Sequence, residues 1–199
     1  MKRSFVVAIT GASGSIYGIE LVKALVDADE EVIVLLSPEA QIVIREELDI
    51  QLPEVQSPEL LKKLFPKKIL SKLTFHHYQD IAAPPASGSF RTKGMIVCPC
   101  SQATVSAIRT GASRNLIDRT ADVCLKEGRL LILVPRETPL SSVHLENMFE
   151  LSKMGVKILP AAPGFYHKPK TIEDLVKFVM GKVLDCAGVD HNLFKRWKE

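Results

Sequence analysis

The sequence contains no long run of like charges and no long apolar run. Its 26 basic and 23 acidic residues leave a formal net charge of +3, which is too balanced to indicate a nucleic-acid-binding or membrane-facing surface. No segment approaches the roughly 20 apolar residues of a membrane span, and the apolar stretch after the basic start is too short for a signal peptide. We therefore expect a soluble, cytoplasmic protein that binds neither nucleic acid nor a membrane.

Cysteine is scarce, and the histidines are scattered. The four cysteines show neither C-x-x-C nor zinc spacing, which indicates reduced thiols rather than a disulfide or zinc framework. The five histidines have no ligand spacing either, so we expect no metal site.

The sequence does contain short apolar runs that alternate with helix-like stretches. Predicted strands cover residues 5–10, 31–36, 94–98, 130–135 and 156–160. Predicted helices cover residues 15–28, 40–48, 102–109, 115–127, 143–154 and 172–187. Continuous apolar strands alternating with helices indicate a parallel sheet covered on both faces. At 199 residues, the predicted fold is a single-domain α/β protein with a doubly wound parallel sheet, Rossmann-like or flavodoxin-like.

Unusual residues follow all five predicted strands. In an open parallel sheet these positions lie at the carboxyl edge, where ligands bind, so we expect them to converge on one crevice. They are, in chain order, residues 11–14, Ser37, residues 99–104, Arg136 with Glu137, and residues 161–166. Two further segments fall outside a minimal fold. The Pro/Gly/Ser-rich residues 82–93 are typical of a lid or binding loop, and the tail carries the only tryptophan, Trp197.

The glycine turn after the first strand is typical of an anion site. Backbone N–H groups at a helix start, with the hydroxyls of Ser13 and Ser15, can cradle a phosphate; a tight turn without a ligand is the alternative. A dinucleotide site would require a ribose-binding charge at the end of the second strand. That strand ends instead in Ser37 and Pro38, and a hydroxyl suits a phosphate or mononucleotide better.

One further pattern favours NAD(P) only superficially. Tyr166 and Lys170 match the Y-x-x-x-K of short-chain dehydrogenases, a pair that functions when one helix presents both side chains. Pro169 would break that helix, and Gly164 favours a loop. An NAD(P)-dependent oxidoreductase is therefore a distant alternative.

Other candidate residues each have a structural interpretation beside the functional one. Ser37 and Ser101 suit helix N-caps as well as ligand contacts. Arg136 and Glu137 could form an exposed ion pair, or they could supply a phosphate-binding guanidinium and a proton-transferring carboxylate. A solvated helix face or a loop position would account for Arg119, Lys126 and Tyr166.

Six segments taken together are far more specific than any one of them. They are TGASGSIYG, APPASGS, CPCSQAT, NLIDRTADVCLKE, LVPRETPLSSVHLENM and PAAPGFYHKP. In this order they resemble the flavin prenyltransferases, the UbiX-like proteins, and the match runs from Thr10 to about Trp197.

This resemblance implies a Rossmann-like FMN protein that forms large homo-oligomers, typically dodecamers, with sites at subunit interfaces. It implies a metal-independent enzyme that transfers a dimethylallyl group from dimethylallyl phosphate to N5 and C6 of reduced FMN. The product would be the prenylated cofactor that UbiD-like decarboxylases use.

The resemblance also assigns individual residues. FMN contacts fall on Gly11, Ala12, Ser13, Ser37, Ser101, Gln102, Ala103, Thr104 and Arg136. The donor phosphate falls on Ser13, Tyr166 and Lys182, with Arg119 and Lys126 as further basic residues, some from a neighbouring subunit. Glu137 matches the acid/base carboxylate and Trp197 a C-terminal aromatic near the site. Some relatives carry arginine at the position of Lys182, and lysine keeps the charge but not the bidentate geometry.

Two alternatives share the fold and FMN. Cysteine decarboxylases carry a P-A-S-A-N-T motif where this chain reads PCSQAT, and a P-x-M-N-x-x-M-W segment where it reads PRETPLSSVHLENM. A non-catalytic FMN-binding subunit would leave Glu137 and the basic residues without a purpose.

Overall fold

A computed structural model describes residues 3–198 and contains one six-stranded parallel sheet. Its strands are β1 (Phe5–Ile9), β2 (Val32–Leu36), β3 (Leu73–Phe75), β4 (Gly94–Cys100), β5 (Leu130–Pro135) and β6 (Lys157–Ile158). They lie in the order β3-β2-β1-β4-β5-β6. The chain reverses its direction of travel across the sheet between β1 and β4, the position at which doubly wound folds bind ligands.

Helices cover both faces of this sheet. They are α1 (Ser15–Asp27), α2 (Pro38–Leu48), α3 (Glu59–Leu64), α4 (Gln102–Thr110), α5 (Leu116–Lys126), α6 (Ser142–Lys153) and α7 (Ile172–Ala187). Successive strand residues point to opposite faces, so Val7 and Ile9 pack in the core with α1 and α7, while Val6 and Ala8 pack in the core with α4, α5 and α6. The doubly wound α/β prediction is therefore confirmed.

The close approach of α1 to the sheet depends on Gly18. A Cβ at this position would collide with the carbonyl oxygen of Cys98 and with the Ile9 side chain. The absence of a side chain lets the start of α1 lie directly over the carboxyl end of the central strands, which brings the glycine turn to the switch point.

Three elements in residues 49–81 were not predicted: α3, β3 and a 3₁₀ helix at Lys67–Lys72. β3 has three residues, pairs only with β2, and is partly exposed, so it lacks the continuous apolar run of a central strand. α3 has six residues and no side-chain N-cap hydrogen bond, and so short a helix carries little periodicity. Residues 82–93 also contain a turn of 3₁₀ helix at Pro84–Ala86. No helix within residues 3–198 is both long and apolar enough to cross a membrane.

Candidate functional site

A cavity of about 390 Å³ opens at the switch point of the sheet, within the size range of small-molecule sites. The predicted cofactor residues that line it are Gly11, Ser37, Ser101, Ala103 and Thr104. Tyr78 and residues at the start of α5 complete its wall. We refer to it as the switch-point cavity.

Three helices begin at this cavity, and the residue that caps each of them lines it. The Ser37 hydroxyl accepts a hydrogen bond from Ala40 N (3.2 Å) in α2, and the Ser101 hydroxyl accepts one from Thr104 N (3.3 Å) in α4. Asn115 Oδ1 accepts from Asp118 N (2.9 Å) in α5. Capping and a place at the site thus coincide for Ser37 and Ser101. Because helix N-termini carry partial positive charge, three of them make this cavity suited to an anion such as phosphate.

Thr10 fixes the two central turns relative to each other. Its hydroxyl donates to Pro99 O (2.9 Å) and accepts from Ser101 N (2.8 Å). The Ala12 N–H also donates back to Thr10 O (2.8 Å), which tightens the glycine turn. These bonds hold the turns after β1 and β4 together before any ligand is bound. Thr10 ends a predicted strand, and nothing in the sequence distinguished it.

The backbone N–H groups of the glycine turn bind a carboxylate of the protein itself. The carboxylate of Glu47, at the end of α2, accepts from Gly14 N (2.9 Å), Ser15 N (2.9 Å) and the Ser15 hydroxyl (2.8 Å). Burial raises the pKa of Glu47, but hydrogen bonds from Ser13, Gly14 and Ser15 outweigh it and hold the pKa below its ordinary value. Sequence reasoning missed Glu47, because only the packing of α2 beside α1 distinguishes it from the neighbouring Glu46.

The expected convergence of five turns on one crevice is wrong for the turn after β6. The turn after β5 reaches the glycine turn, since Arg136 Nε donates to Ser13 O (3.1 Å), but Arg136 and the exposed Glu137 do not line the switch-point cavity. The turn after β6 lies elsewhere, beside α7. Strands are spaced about 4.8 Å apart, so β6, two strands outward from β4, carries its turn away from the switch point.

Gln102 also differs from the cavity-lining residues around it. Its amide oxygen and nitrogen are buried, and neither forms a hydrogen bond within residues 3–198. Both groups are therefore available to a ligand or to a neighbouring chain.

A second group of predicted residues gathers around α7 and the C-terminal tail. The Tyr166 ring packs edge-on against Trp197, with centroids 5.3 Å apart, and against Phe178, with centroids 5.6 Å apart. Tyr166 and Lys170 precede α7 in a non-helical segment, so they do not form a dehydrogenase pair. We call Tyr166, Phe178, Lys182, Asp185, Arg196 and Trp197 the tail cluster.

Asp185 forms ion pairs within the tail cluster and connects the tail to α7. Its carboxylate accepts from Arg196 Nη2 (2.8 Å), and it lies 3.3 Å from Lys182 Nζ and 3.1 Å from His191 Nε2. The hydrogen bond from Arg196 is the largest cause that lowers the pKa of Asp185, which falls to about 2. The ion pair holds the tail, and with it Trp197, beside Tyr166.

Arg119 and Lys126 lie apart from the tail cluster. Arg119 donates from Nε to Ala86 O (3.1 Å) and from Nη1 to Asp122 (2.8 Å), while Lys126 lies 3.7 Å from Glu127. Both are on α5, on the sheet face opposite α7. No hydrogen bond, ion pair or ring contact within residues 3–198 joins either to Tyr166 or Lys182. One copy of the chain therefore does not gather the predicted donor-phosphate residues by direct contact.

No group of three or more His, Cys, Asp or Glu side chains in the described part of the chain is placed to hold a metal ion. The four cysteines are all unpaired by disulfides, and burial raises the pKa of the Cys98 and Cys100 thiols. Neither thiol is a reactive thiolate, and neither is assigned a role in the site.

Comparisons with known proteins cover almost the whole chain. The Flavoprotein family model matches residues 1–184. The flavin prenyltransferase UbiX of Alkalihalophilus pseudofirmus is 49% identical over 199 residues, which span 100% of this chain and 98% of the relative. AnUbiX (PadA1), solved in complex with FMN and dimethylallyl pyrophosphate, has a TM-score of 0.88 at 42% identity and covers 100% of this chain and 99% of its own.

Two further structures bear on assembly and on the alternatives. The dodecameric FMN-dependent Ubix-like decarboxylase from Escherichia coli O157:H7 has a TM-score of 0.86 at 41% identity, with 98% of this chain and 100% of that chain covered. The peptidyl-cysteine decarboxylase EpiD is 18% identical with a TM-score of 0.60 over 94% of this chain and 99% of its own. At that identity the likeness to EpiD is one of fold alone.

Proposed function

Because this chain belongs to the Flavoprotein family and, within it, to the UbiX-like flavin prenyltransferases, we propose that it transfers a dimethylallyl group from dimethylallyl phosphate to N5 and C6 of reduced FMN. The observation that carries the proposal is the switch-point cavity, in which three helix N-termini and the hydroxyls of Ser37, Ser101 and Thr104 face one space. This donor set matches the phosphate of a flavin mononucleotide. Reduced FMN supplies the two ring atoms to which the prenyl group is bonded.

We assign the flavin contacts to both sides of the switch point. Ser37, Ser101 and Thr104 face the phosphate, and Gly11, Ala12, Gln102 and Ala103 lie along the path of the cofactor. Arg136 is held against the glycine turn by its bond to Ser13 O, so its charge lies between the flavin and the donor. The unpartnered amide of Gln102 has both a donor and an acceptor to offer.

We assign the donor phosphate to Ser13, Tyr166 and Lys182. Without a metal, breaking the C–O bond of an allylic phosphate requires cations and hydroxyls that are already oriented around the leaving group. Tyr166 and Lys182 both belong to the tail cluster, in which the Trp197 ring forms an aromatic wall against Tyr166. Covered by a neighbouring copy, such a wall would exclude water from the reacting carbon.

Arg119 and Lys126 would complete the donor site from a neighbouring copy. They lie on the face of the sheet opposite α7, so a second chain could present them to the tail cluster of the first. An apolar surface on α6 supports self-association, since Val143, Leu145 and Phe149 are 60%, 53% and 61% exposed. We propose a homo-oligomer, with a dodecamer as the expected form.

Two carboxylates lie beside the glycine turn or beside Arg136, which contacts that turn. Forming the second bond joins one alkene carbon of the prenyl group to flavin C6, while the other alkene carbon gains a proton and C6 releases one. We assign removal of the C6 proton to Glu137, which follows Arg136 at the sheet edge. Glu47 accepts hydrogen bonds from the backbone of Gly14 and Ser15 and stays ionised, since its pKa is lowered.

Mass spectrometry of the cofactor tests this function. The protein is incubated anaerobically with reduced FMN and dimethylallyl phosphate, and we expect FMN to gain the mass of one prenyl group. Recovery of unmodified FMN would contradict the proposal. A parallel titration by calorimetry should give tight binding for FMN and none for NAD(P), and the reverse result would restore the oxidoreductase alternative.

The product of the proposed reaction suggests which protein receives it. We propose that a UbiD-like decarboxylase receives the prenylated flavin, and that the protein acts in the cytoplasm, where its four unpaired cysteines would stay reduced. Transfer of the product to an apo-decarboxylase, followed as a gain of decarboxylation, tests the first of these statements.

A further inference from the structure

Arg114 occupies an unusual place at the switch-point cavity. It stands immediately before Asn115, the N-cap of α5, and it is the one cationic side chain that lines the cavity within residues 3–198. Two carboxylates, Glu39 and Asp118, line the same space. Among the described residues, Arg114 would therefore be the one full positive charge that the wall offers to a phosphate dianion entering the cavity.

The Arg114 guanidinium forms a hydrogen bond through Nε but not through its terminal nitrogens within residues 3–198. Its Nε donates to Asp118 Oδ2 (2.9 Å), and the Asp118 side chain, only 1% exposed, also accepts from Asn115 Nδ2 (3.2 Å). Neither terminal nitrogen of Arg114 forms a hydrogen bond within residues 3–198, and the side chain is 58% exposed. Asp118 thus fixes the orientation of the fork and leaves the two terminal nitrogens available.

Arg114 pairs with the buried Asp118 carboxylate, but its charge also has an unfavourable effect on α5. A positive charge next to a helix N-terminus opposes the helix dipole. An anion in the cavity reverses this balance, because it attracts both the guanidinium and the helix N-termini.

We propose that Arg114 binds the phosphate group of FMN through its terminal nitrogens and makes the site selective for the phosphorylated flavin over riboflavin. This inference rests on the proposed function, since it assumes that FMN occupies the switch-point cavity. Arg114 is thus a specificity-determining residue that is not among the site residues predicted from the sequence. Bidentate arginine–phosphate pairs are among the stronger hydrogen-bonded contacts.

The test compares two ligands that differ only in the phosphate. Affinities of FMN and riboflavin are measured by flavin fluorescence for the wild type, Arg114→Ala and Arg114→Lys. For Arg114→Ala we expect FMN affinity to fall about 10- to 100-fold while riboflavin affinity changes less than about twofold. Arg114→Lys should recover part of the loss, since lysine keeps the charge but not the fork.

Arg109→Ala is the matched control, because Arg109 lies in the last turn of α4 and does not line the cavity. It should leave both affinities unchanged. Equal losses of FMN and riboflavin in Arg114→Ala, or an unchanged FMN affinity, would overturn the inference. If the wild type still prenylates FMN in either case, the proposed function stands; if the wild type binds no FMN, the proposed function and the inference both fail.

Discussion

The switch-point cavity and the tail cluster hold their functional groups by different means. In the cavity, Ser37 and Ser101 are at most partly exposed, and each is bonded to the backbone of the helix that it caps. In the tail cluster, Trp197 is 66% exposed and is held by ring contacts and by the Asp185–Arg196 ion pair. The cavity is thus built into the sheet, whereas the tail cluster depends on a terminal segment that must be kept in place.

This difference separates the two ligands of the proposed reaction. Groups fixed by the backbone need no reorganisation when a ligand binds, so the FMN end of the site should tolerate changes in the tail. In the proposed function, the donor end relies on charges of exposed side chains and on residues from a neighbouring copy. Variants in the two regions should therefore affect different properties of the protein, and the four predictions below test that separation.

Glu137→Gln should have the largest effect. Loss of a general acid–base group typically slows a reaction by about 10²–10⁴-fold, and we expect prenyl transfer to slow by that amount while FMN affinity is unchanged. Single-turnover formation of prenylated FMN is the measurement. Glu146→Gln, an exposed change on α6, is the control, and an undiminished rate in Glu137→Gln would remove Glu137 from the mechanism.

Lys182→Ala should weaken the donor rather than the flavin. A charge-assisted contact to phosphate contributes about 1.5–3 kcal/mol, so the affinity for dimethylallyl phosphate should fall roughly 10- to 100-fold. Saturation curves for the donor at fixed FMN measure it. Lys177→Ala, on the same helix and paired with Glu173 (2.7 Å), should leave the curves unchanged. If FMN affinity falls instead, Lys182 has been placed on the wrong ligand.

Ser101→Ala and Ser141→Ala compare two N-caps, of which only one lines the cavity. Each removes the cap of a helix, α4 or α6, and each should lower the free energy of unfolding by about 1 kcal/mol. Only Ser101→Ala should also lower FMN affinity, by about 2- to 10-fold for one neutral hydrogen bond. Denaturant titrations and FMN binding are measured side by side, and equal FMN affinities in the two variants would show that Ser101 is a cap alone.

Asp185→Asn should have the smallest effect, on acid stability. The folded-state pKa of Asp185, about 2, lies below its ordinary value of 3.8, so the ionised carboxylate stabilises the fold above the ordinary value. That contribution is lost as the pH falls from 3.8 toward 2. The wild type should thus be more stable than the variant at neutral pH, and the difference should vanish near pH 2. A difference that is independent of pH would show that Asp185 acts by packing rather than by charge.

The strand and helix pattern allowed most of the fold to be predicted, because central strands and long helices carry strong periodicity. The predicted bounds of α7 agree with the structure, and β5 occupies the predicted residues 130–135. β3 and α3 were missed because an edge strand of three residues and a helix of six have too few buried positions to form a pattern.

The candidate site likewise contains some residues that could be placed from the sequence and others that could not. Residues that directly follow central strands, such as Ser37 and Ser101, could be placed at the switch point from chain order alone, because parallel strands end at one edge. Chain order carries no information about Glu47, which reaches the glycine turn only because α2 packs beside α1. Chain order also gives no indication that the turn after β6 packs against α7 rather than lining the cavity.

The sequence by itself therefore determined the parallel sheet, the helix caps at its carboxyl edge and, through the order of its motifs, the family. Those features depend on local patterns and on residues close together in the chain. Only the tertiary structure decided that Glu47 fills the glycine turn, that Arg114 is the cation of the cavity, and that Arg119 and Lys182 lie on opposite faces of the sheet. Each of these depends on how helices distant in sequence pack against one sheet, and that packing is decided by shape and burial over the whole molecule.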